Sequence, residues 1–332
     1  MYSQAHHPIT YSEHGERDGG DALAVPAIEL RSVVKDYGRT RALRGIDLTI
    51  EPGRIFGFLG PNGAGKTTTI RLLLDLIRPT SGSASVLGFD CQRQSMEVRR
   101  RVGYLPGELR MYESMRGNDF LDLVDSFRPE KRDSHFRGQL LDRLGLDTTR
   151  GIRALSKGNK QKLGIVQALM HRPELLVLDE PTSGLDPLVQ EEVARLLEDA
   201  VRDGRTVFFS SHVLPEVERL SQAVAIIREG KIVAVEDIAQ LKGKSMHVIE
   251  VTFGVEPPAH LFALPGVREL RRDGNMVHLQ ARDGIDAVIK AIARYPVLDL
   301  RTEQASLEDT FLAYYSDQGH AQESGGDAVA SL

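Results

Sequence analysis

The sequence contains no tryptophan and a single cysteine, Cys91. One thiol excludes an internal disulfide framework and any multi-cysteine metal site. A basic excess is also absent, because 42 Lys and Arg stand against 47 Asp and Glu, a net charge of −5. That balance is against general affinity for nucleic acid. Long apolar runs are missing too. The longest uncharged stretches, such as Ile55 to Gly65, are near eleven residues, and a spanning helix needs about 20 apolar residues. The start of the chain has no apolar segment of the secretory kind, which gives the expectation of an intracellular protein.

What is present is an ordinary globular composition, 41% hydrophobic and 27% charged, in 332 residues. That length suits two domains better than one. Residues 1–26 are rich in Gly, His, Asp and Glu without apolar periodicity, and are expected to be a disordered tail. Residues 27–243 alternate short apolar runs with helical patterns, as in an α/β domain. Within them, 114–155 reads as an inserted helical subdomain with charges throughout. Residues 246–315 read as a small α+β domain, with a ferredoxin-like fold as its candidate, and 316–332 as a flexible tail. In the small domain, Asp273-Gly274-Asn275 predicts a hairpin, and Ile285, Val288, Ile289 and Ile292 one helix face. Ser306 and Asp309 form a capping-box pattern before a final helix with Phe311 and Leu312 inside.

Gly60-Pro61-Asn62-Gly63-Ala64-Gly65-Lys66-Thr67 fits G-x-x-x-x-G-K-[ST] in full. Its context is a predicted strand, Arg54 to Leu59, and a helix with Ile70, Leu73, Leu74 and Ile77 on one face. Glycines let the backbone wrap a phosphate, and the helix N-terminus adds its positive dipole. Lys66 then reaches the β- and γ-phosphates, Thr67 offers a hydroxyl to Mg²⁺, and Thr68 is placed for a further phosphate contact. Leu175 to Leu178 is an apolar strand ending in Asp179 and Glu180. Asp179 is expected to hold Mg²⁺, directly or through water, opposite Thr67. Glu180 points differently, since strand side chains alternate, and is placed to polarise the attacking water. Asp186-Pro187 marks a helix start.

These residues and four further features make the chain resemble the ATP-binding subunits of ABC transporters. Tyr37 fits the aromatic that stacks on adenine. Leu155-Ser156-Lys157-Gly158-Asn159-Lys160-Gln161 is similar to the family signature, and Ser183-Gly184-Leu185-Asp186 to the D-loop. His212, in Ser210-Ser211-His212, fits the switch histidine. Each has a plainer reading as well: Tyr37 as a strand aromatic, Ser156 and Asp186 as helix caps, His212 as a strand-end residue. The signature departs from the usual LSGGQ at Lys157 and Asn159 but keeps Ser156 and Gly158. Gly107-Glu108 stands where the family's Q-loop glutamine is expected, so either Glu108 takes that role or the Mg²⁺ contact differs.

The resemblance implies ATP and Mg²⁺ as ligands and two subunits closing head to tail around two ATP molecules. Each site then joins one phosphate loop (Gly60 to Thr68) to the other chain's Ser156, Lys157 and Gly158, with Asp186 nearby. Lys66, Glu180 and His212 are the implied catalytic residues. The partners implied are a second ATPase subunit, most simply a homodimer, and separate membrane permease subunits, with no nucleic acid. The implied location is peripheral, on the cytoplasmic face of the membrane. The short C-terminal domain, with its Leu307-Glu308-Asp309-Thr310-Phe311 end, is similar to the drug, antibiotic and polysaccharide exporter branch. A soluble ABC-type ATPase acting on ribosomes or DNA, and an importer ATPase, are the alternatives.

Overall fold

The computed structural model describes residues 25–128, 133–243, 246–282 and 285–304. In chain order, β1 (Ile28–Tyr37) and β2 (Thr40–Ile50) form a hairpin, and β3 (Ile55–Leu59) leads through the glycine-rich loop into α1 (Lys66–Leu73). β4 (Ser81–Val86), β5 (Phe89–Asp90), α2 (Ser95–Arg101) and β6 (Val102–Leu105) follow. Then come α3 (Gly117–Ser126), α4 (Ser134–Arg143), a short 3-10 turn at Ile152–Ala154 and α5 (Lys157–Leu169). β7 (Leu175–Asp179), α6 (Pro187–Arg202), β8 (Thr206–Ser211), α7 (Leu214–Leu220), β9 (Ala223–Arg228), β10 (Lys231–Asp237) and α8 (Ile238–Gly243) follow. The last elements are β11 (Met246–Phe253), β12 (Val267–Asp273), β13 (Met276–Arg282), α9 (Ile285–Ile292) and β14 (Val297–Gln304).

β3, β7 and β8 are buried at every position. Strands apolar on both faces belong in the middle of a parallel sheet covered on both sides. They lie side by side in a sheet of order β10-β9-β3-β8-β7-β6. The pairs β9–β3, β3–β8, β8–β7 and β7–β6 are parallel, and only β10 is antiparallel. One face of this sheet packs on α5 and α6 through Leu163, Val166, Val193 and Leu197. A second core holds Phe56, Phe58, Ile70 and Phe208 with the sheet β2-β1-β4-β5. Parallel strands all end on the same side, so Leu59, Asp179 and Ser211 deliver their following residues to one edge. Ligands of open α/β sheets bind there.

Residues 114–155 leave this framework and return to it at one place. Gly117 N donates to Arg150 O at 3.1 Å, and Ile152 N to Met115 O at 2.9 Å. The helices between them bury Phe120, Leu121, Leu140 and Leu144 in the same core as α5.

The third sheet has the order β12-β13-β11-β14 and is antiparallel throughout. β13 is inserted between β11 and β12, and β14 lies on the far side of β11, which is a ferredoxin-like split arrangement. Only the crossover from β13 to β14 is helical. Residues 254–266 make turns, with Phe262 filling the core beside Phe253.

Some expected details differ. α1 stops at Leu73, and Asp75 turns the chain at φ 51°, so Leu74 and Ile77 pack from beyond the helix. On α9, Val288 and Ile292 are buried but Ile289 is 48% exposed. The seam of this short helix runs through positions i, i+3 and i+7, and Ile289 falls at its margin. The expected tails and the helix containing Phe311 and Leu312 lie outside the described residues.

One buried group ties stability to pH. His171 Nε2 lies 3.3 Å from Val102 O, and burial, with the nearby Arg128 charge, pushes its pKa down to about 3. An unfolded histidine titrates near 6.5, so between these values the unfolded chain binds the extra proton. Stability therefore falls as pH drops from about 6.5 toward 3, by up to about 1.4 kcal/mol per unit. His171→Gln should flatten that slope in urea midpoints measured from pH 7 to pH 4. A slope equal to wild type would assign it to other groups.

Candidate active site

The loop from Gly60 to Gly65 is shaped by close packing. A Cβ on Gly60 would lie 2.3 Å from Ile227 O, and Gly65 has φ 115° with Leu43 Cδ2 2.7 Å from the place of its Cβ. Only glycine fits either position. Pro61, Asn62 and Gly63 are exposed, and Ala64 and Gly65 are buried beneath them. Lys66 folds back so that Nζ donates to Gly60 O at 2.6 Å and to Pro61 O at 3.2 Å. Burial pushes its pKa down, and the charges of Glu180 and Asp179 act the other way. Thr68 is half-buried in the first turn of α1.

Asp179, at the end of β7, is 2% exposed. Its Oδ2 accepts from Thr67 Oγ1 at 2.9 Å, and its Oδ1 accepts a short hydrogen bond from Ser210 Oγ on β8. The turn after β6 closes over it, since a Cβ on Gly107 would sit 3.1 Å from Oδ2. Glu108 does not reach this carboxylate. It is exposed, and its nearest cation is Arg110 at 3.8 Å.

Glu180 takes a left-handed backbone, φ 51°, which carries its side chain away from that of Asp179. Its amide donates to Ser210 O and to Ser210 Oγ, each at 3.2 Å. Its Oε1 lies 2.9 Å from His212 Nδ1. Lys66, Thr67, Asp179, Glu180 and His212 thus converge where β3, β7 and β8 end.

The second group is separate. Ser156 caps α5, its Oγ accepting from Asn159 N at 3.2 Å. Asp186 caps α6 through Val189 N at 3.0 Å. A Cβ on Gly158 would lie 3.1 Å from Gly184 O, and the Lys157 methylenes run beside Gly184. Ser156 and Lys157 are exposed, and no hydrogen bond among the described residues joins them to the phosphate loop. Tyr37, at the end of β1, is 46% exposed, with Lys35 Nζ 5.1 Å from its ring centroid.

The donor set fits Mg²⁺. A hydroxyl and a carboxylate are hard oxygen ligands, and no group of three or more His, Cys, Asp or Glu suited to a metal occurs among the described residues. Mg²⁺ commonly takes one or two carboxylates and completes its shell with water and substrate phosphates.

Residues 43–183 match the family model described as ABC transporter. The chain is 37% identical over 226 residues to the bacitracin transport ATP-binding protein BcrA of Bacillus licheniformis, covering 67% of this chain and 74% of that one. It is 32% identical over 303 residues to the daunorubicin/doxorubicin resistance ATP-binding protein DrrA of Streptomyces peucetius, covering 86% and 92%.

The chain belongs to the ABC transporter ATP-binding proteins.

A solved ATP-binding subunit of an ABC transporter superposes with TM-score 0.61 at 26% identity, covering 65% of this chain and 92% of that one. A dimeric ATP-binding cassette in a post-hydrolysis state with ADP and Pi superposes with TM-score 0.59 at 21% identity, covering 64% and 98%, and shares the fold.

Sequence reasoning missed three parts of this ATP-binding subunit's site. Ser210 holds Asp179 and the Glu180 amide, but its role depends on the register Asp179↔Ser210 between β7 and β8. Gln161, inside the signature, donates Nε2 to Glu180 O at 3.2 Å and to Pro181 O at 2.9 Å. Glu216 accepts from Ser211 Oγ at 2.6 Å and from Thr182 Oγ1, bracing the two turns beside the acids. The sequence signal for Ser210 is a small polar residue directly after the buried run Val207-Phe208-Phe209.

Ser210→Ala removes one of the two anchors of Asp179. Loss of such a supporting contact costs about 10–100-fold in metal affinity. The Mg²⁺ concentration for half-maximal phosphate release at saturating ATP should rise by about that factor. An unchanged requirement would show that Thr67 alone positions the carboxylate.

Proposed function

We propose that this ATP-binding subunit hydrolyses Mg-ATP as a head-to-tail pair and drives export of antibiotic-like compounds through separate membrane permease subunits. The observation carrying this reading is the Glu180–His212 pair set directly beside the Thr67–Asp179 pair. Lys66 exchanges the carbonyls of Gly60 and Pro61 for the β- and γ-phosphate oxygens, an exchange its single charge and flexible stem permit. Backbone amides from Gly63 to Thr67 and the N-terminus of α1 add donors to the same oxygens. Thr67 Oγ1 and Asp179 would hold Mg²⁺, which would supply charge neutralisation at the phosphates. Glu180 orients the in-line water and takes its proton. His212 fixes Glu180 through Nδ1 and turns its other ring nitrogen toward the γ-phosphate. Tyr37 offers an exposed ring face to adenine. Phosphoryl transfer needs mainly positioning and charge stabilisation, which these groups supply.

The exposed cap of α5, with Ser156, Lys157 and Gly158, serves the nucleotide of a second copy. Asp186 stands at the same surface. A helix N-terminus with free amides suits a phosphate arriving from another chain. Drug and antibiotic export is supported by relatives named for bacitracin transport and for daunorubicin/doxorubicin resistance. No helix of the described residues is long and apolar enough to cross a membrane. In this proposal the chain sits peripherally on the cytoplasmic face, docked through residues 114–155 and the loop after β6.

Glu180→Gln keeps the shape and removes the base. Phosphate release should fall by about 10²–10⁴-fold while ATP binding persists, and an ATP-dependent dimer should accumulate in size-exclusion chromatography. Hydrolysis at the wild-type rate would overturn the role given to Glu180. The same variant with ATP, purified from detergent-solubilised membranes, should bring down a polytopic membrane protein. Recovery of ribosomal or DNA-repair proteins alone would favour the soluble alternative.

A further inference from the structure

The small C-terminal sheet ends on β14, and its inner face continues past the core it encloses. Ile249, Val251 and Phe253 of β11 are buried against α9. Their register partners on β14 are Thr302, Leu300 and, past a register break that skips Leu298, Val297, so Thr302 and Leu300 share that inner face. Yet Leu300 is 41% exposed and Leu298 69%. Among the described residues β14 is the outermost strand. An apolar edge strand presents unpaired backbone groups and is a template for pairing.

The two edges of the sheet are not alike. β12 carries Arg268, Glu269, Arg271 and Arg272, and its pairing with β13 is broken by a bulge between Glu269 and Arg271. Charges and bulges blunt an edge. β14 pairs regularly from Asp299 onward and keeps its leucines. On its outer face Asp299 and Arg301 form an exposed ion pair at 3.1 Å. A strand with this sequence is complementary to itself. Antiparallel pairing centred on Leu300 sets Leu300 against its own counterpart and Leu298 against Thr302 on the inner face. On the outer face it sets Asp299 against Arg301 twice.

We propose that β14 pairs antiparallel with β14 of a second copy, centred on Leu300, joining two four-stranded sheets into one. An antiparallel strand pair has a two-fold axis, as does a dimer built from two identical interfaces. We take the two axes to coincide, so that one pair of chains makes both this contact and the ATPase pair, and in that sense the inference rests on the two-copy reading above. The C-terminal domain then holds two copies together when the ATP sites are open. Its leucines cover one another, and the two intrastrand ion pairs, one in each copy, are exchanged for two interstrand pairs.

The full-length chain carries the test well, because Cys91, its only cysteine, is 1% exposed. Leu300→Cys should oxidise to a disulfide-linked dimer with or without ATP. Leu298→Cys alone should not, since its counterpart lies four residues away along the strands, about 13 Å, beyond disulfide reach. An equal mixture of Leu298→Cys and Thr302→Cys should cross-link. Adding Asp299→Arg to Leu300→Cys places like charges opposite each other and should weaken dimer capture about tenfold. Monomer throughout, in a chain that still turns over ATP, overturns the strand pairing and leaves the ATPase reading intact. A monomeric Leu300→Cys variant whose new thiol is shielded from maleimide also overturns it, since the edge is then covered by the chain's own residues. Cross-linking of Leu298→Cys alone as readily as Leu300→Cys indicates random collision and overturns the register. Loss of ATP turnover in the wild type would instead count against the function proposed above.

Discussion

The carboxylate of Asp179 is the fixed point of this structure. It is 2% exposed, and a buried charge is tolerated only when hydrogen bonds replace its water. Two hydroxyls do so here, Thr67 from the first turn of α1 and Ser210 from the end of β8. Three consecutive strands of the sheet must therefore finish level with one another. β3 delivers the loop and Thr67, β7 delivers Asp179, and β8 delivers Ser210. A shift of one residue in any of these registers would turn the needed side chain to the opposite face. Leaving one partner missing costs several kcal/mol in a protein whose net stability is about 5–15 kcal/mol. The apolar runs of β3, β7 and β8 hold those registers, so the hydrophobic core and the polar site enforce the same alignment.

The site as it stands is closed on itself, and that closure defines what a nucleotide must replace. Lys66 spends its charge on two carbonyls of its own loop. Thr67 and Asp179 bond each other directly. Both arrangements satisfy groups that would otherwise be buried without partners. Phosphate oxygens are stronger acceptors for an ammonium than carbonyls are. A divalent cation held by Thr67 and Asp179 would take the place of their mutual hydrogen bond. Glu180 stands outside this exchange. Its left-handed backbone and the His212 contact aim it at a different place from Asp179, although the two are sequence neighbours. One turn thus yields two carboxylates aimed at different places.

How much of this is legible in the sequence depends on how local each feature is. The glycine-rich loop, the apolar strand ending in two acids and the Asp186 cap are all written in contiguous residues. The hairpin at Asp273-Gly274-Asn275 is readable for the same reason, and Gly274 takes the positive φ such a turn needs. Ser210 is visible in a motif but its role is hidden, because it arises only from pairing β8 with β7. Gly107 marks a missing glutamine in the sequence, whereas in the fold its backbone packs on Asp179 and leaves no space for a Cβ without adjustment. Ile289 fits a helical face by spacing alone, but the narrow sheet beneath α9 covers only part of that face. Nothing in the order of residues along the chain reveals which strand forms the apolar edge of the small sheet.

The signature and the acids are linked within one chain before any second copy arrives. Gln161 lies on α5, five residues after Ser156, and its amide grips the carbonyls of Glu180 and Pro181. The N-terminus of α5 is therefore tied to the turn carrying the water-facing carboxylate. The helical segment reaches the core through more yielding contacts as well. Arg143 pairs with Glu192 and Asp199 on α6, and Arg172 stacks over Phe136 at 3.9 Å. Such exposed pairs contribute about 0–1 kcal/mol each and re-form at little cost. A load on α3 and α4 can thus shift these outer contacts while the Gln161 link keeps α5 in step with Glu180. Any movement of the insert that displaces Ser156 must also strain the turn at Glu180 or break the two Gln161 hydrogen bonds. The N-terminus of α5 and the turn at Glu180 are thus joined by two hydrogen bonds, while the outer contacts of the insert are exposed ion pairs.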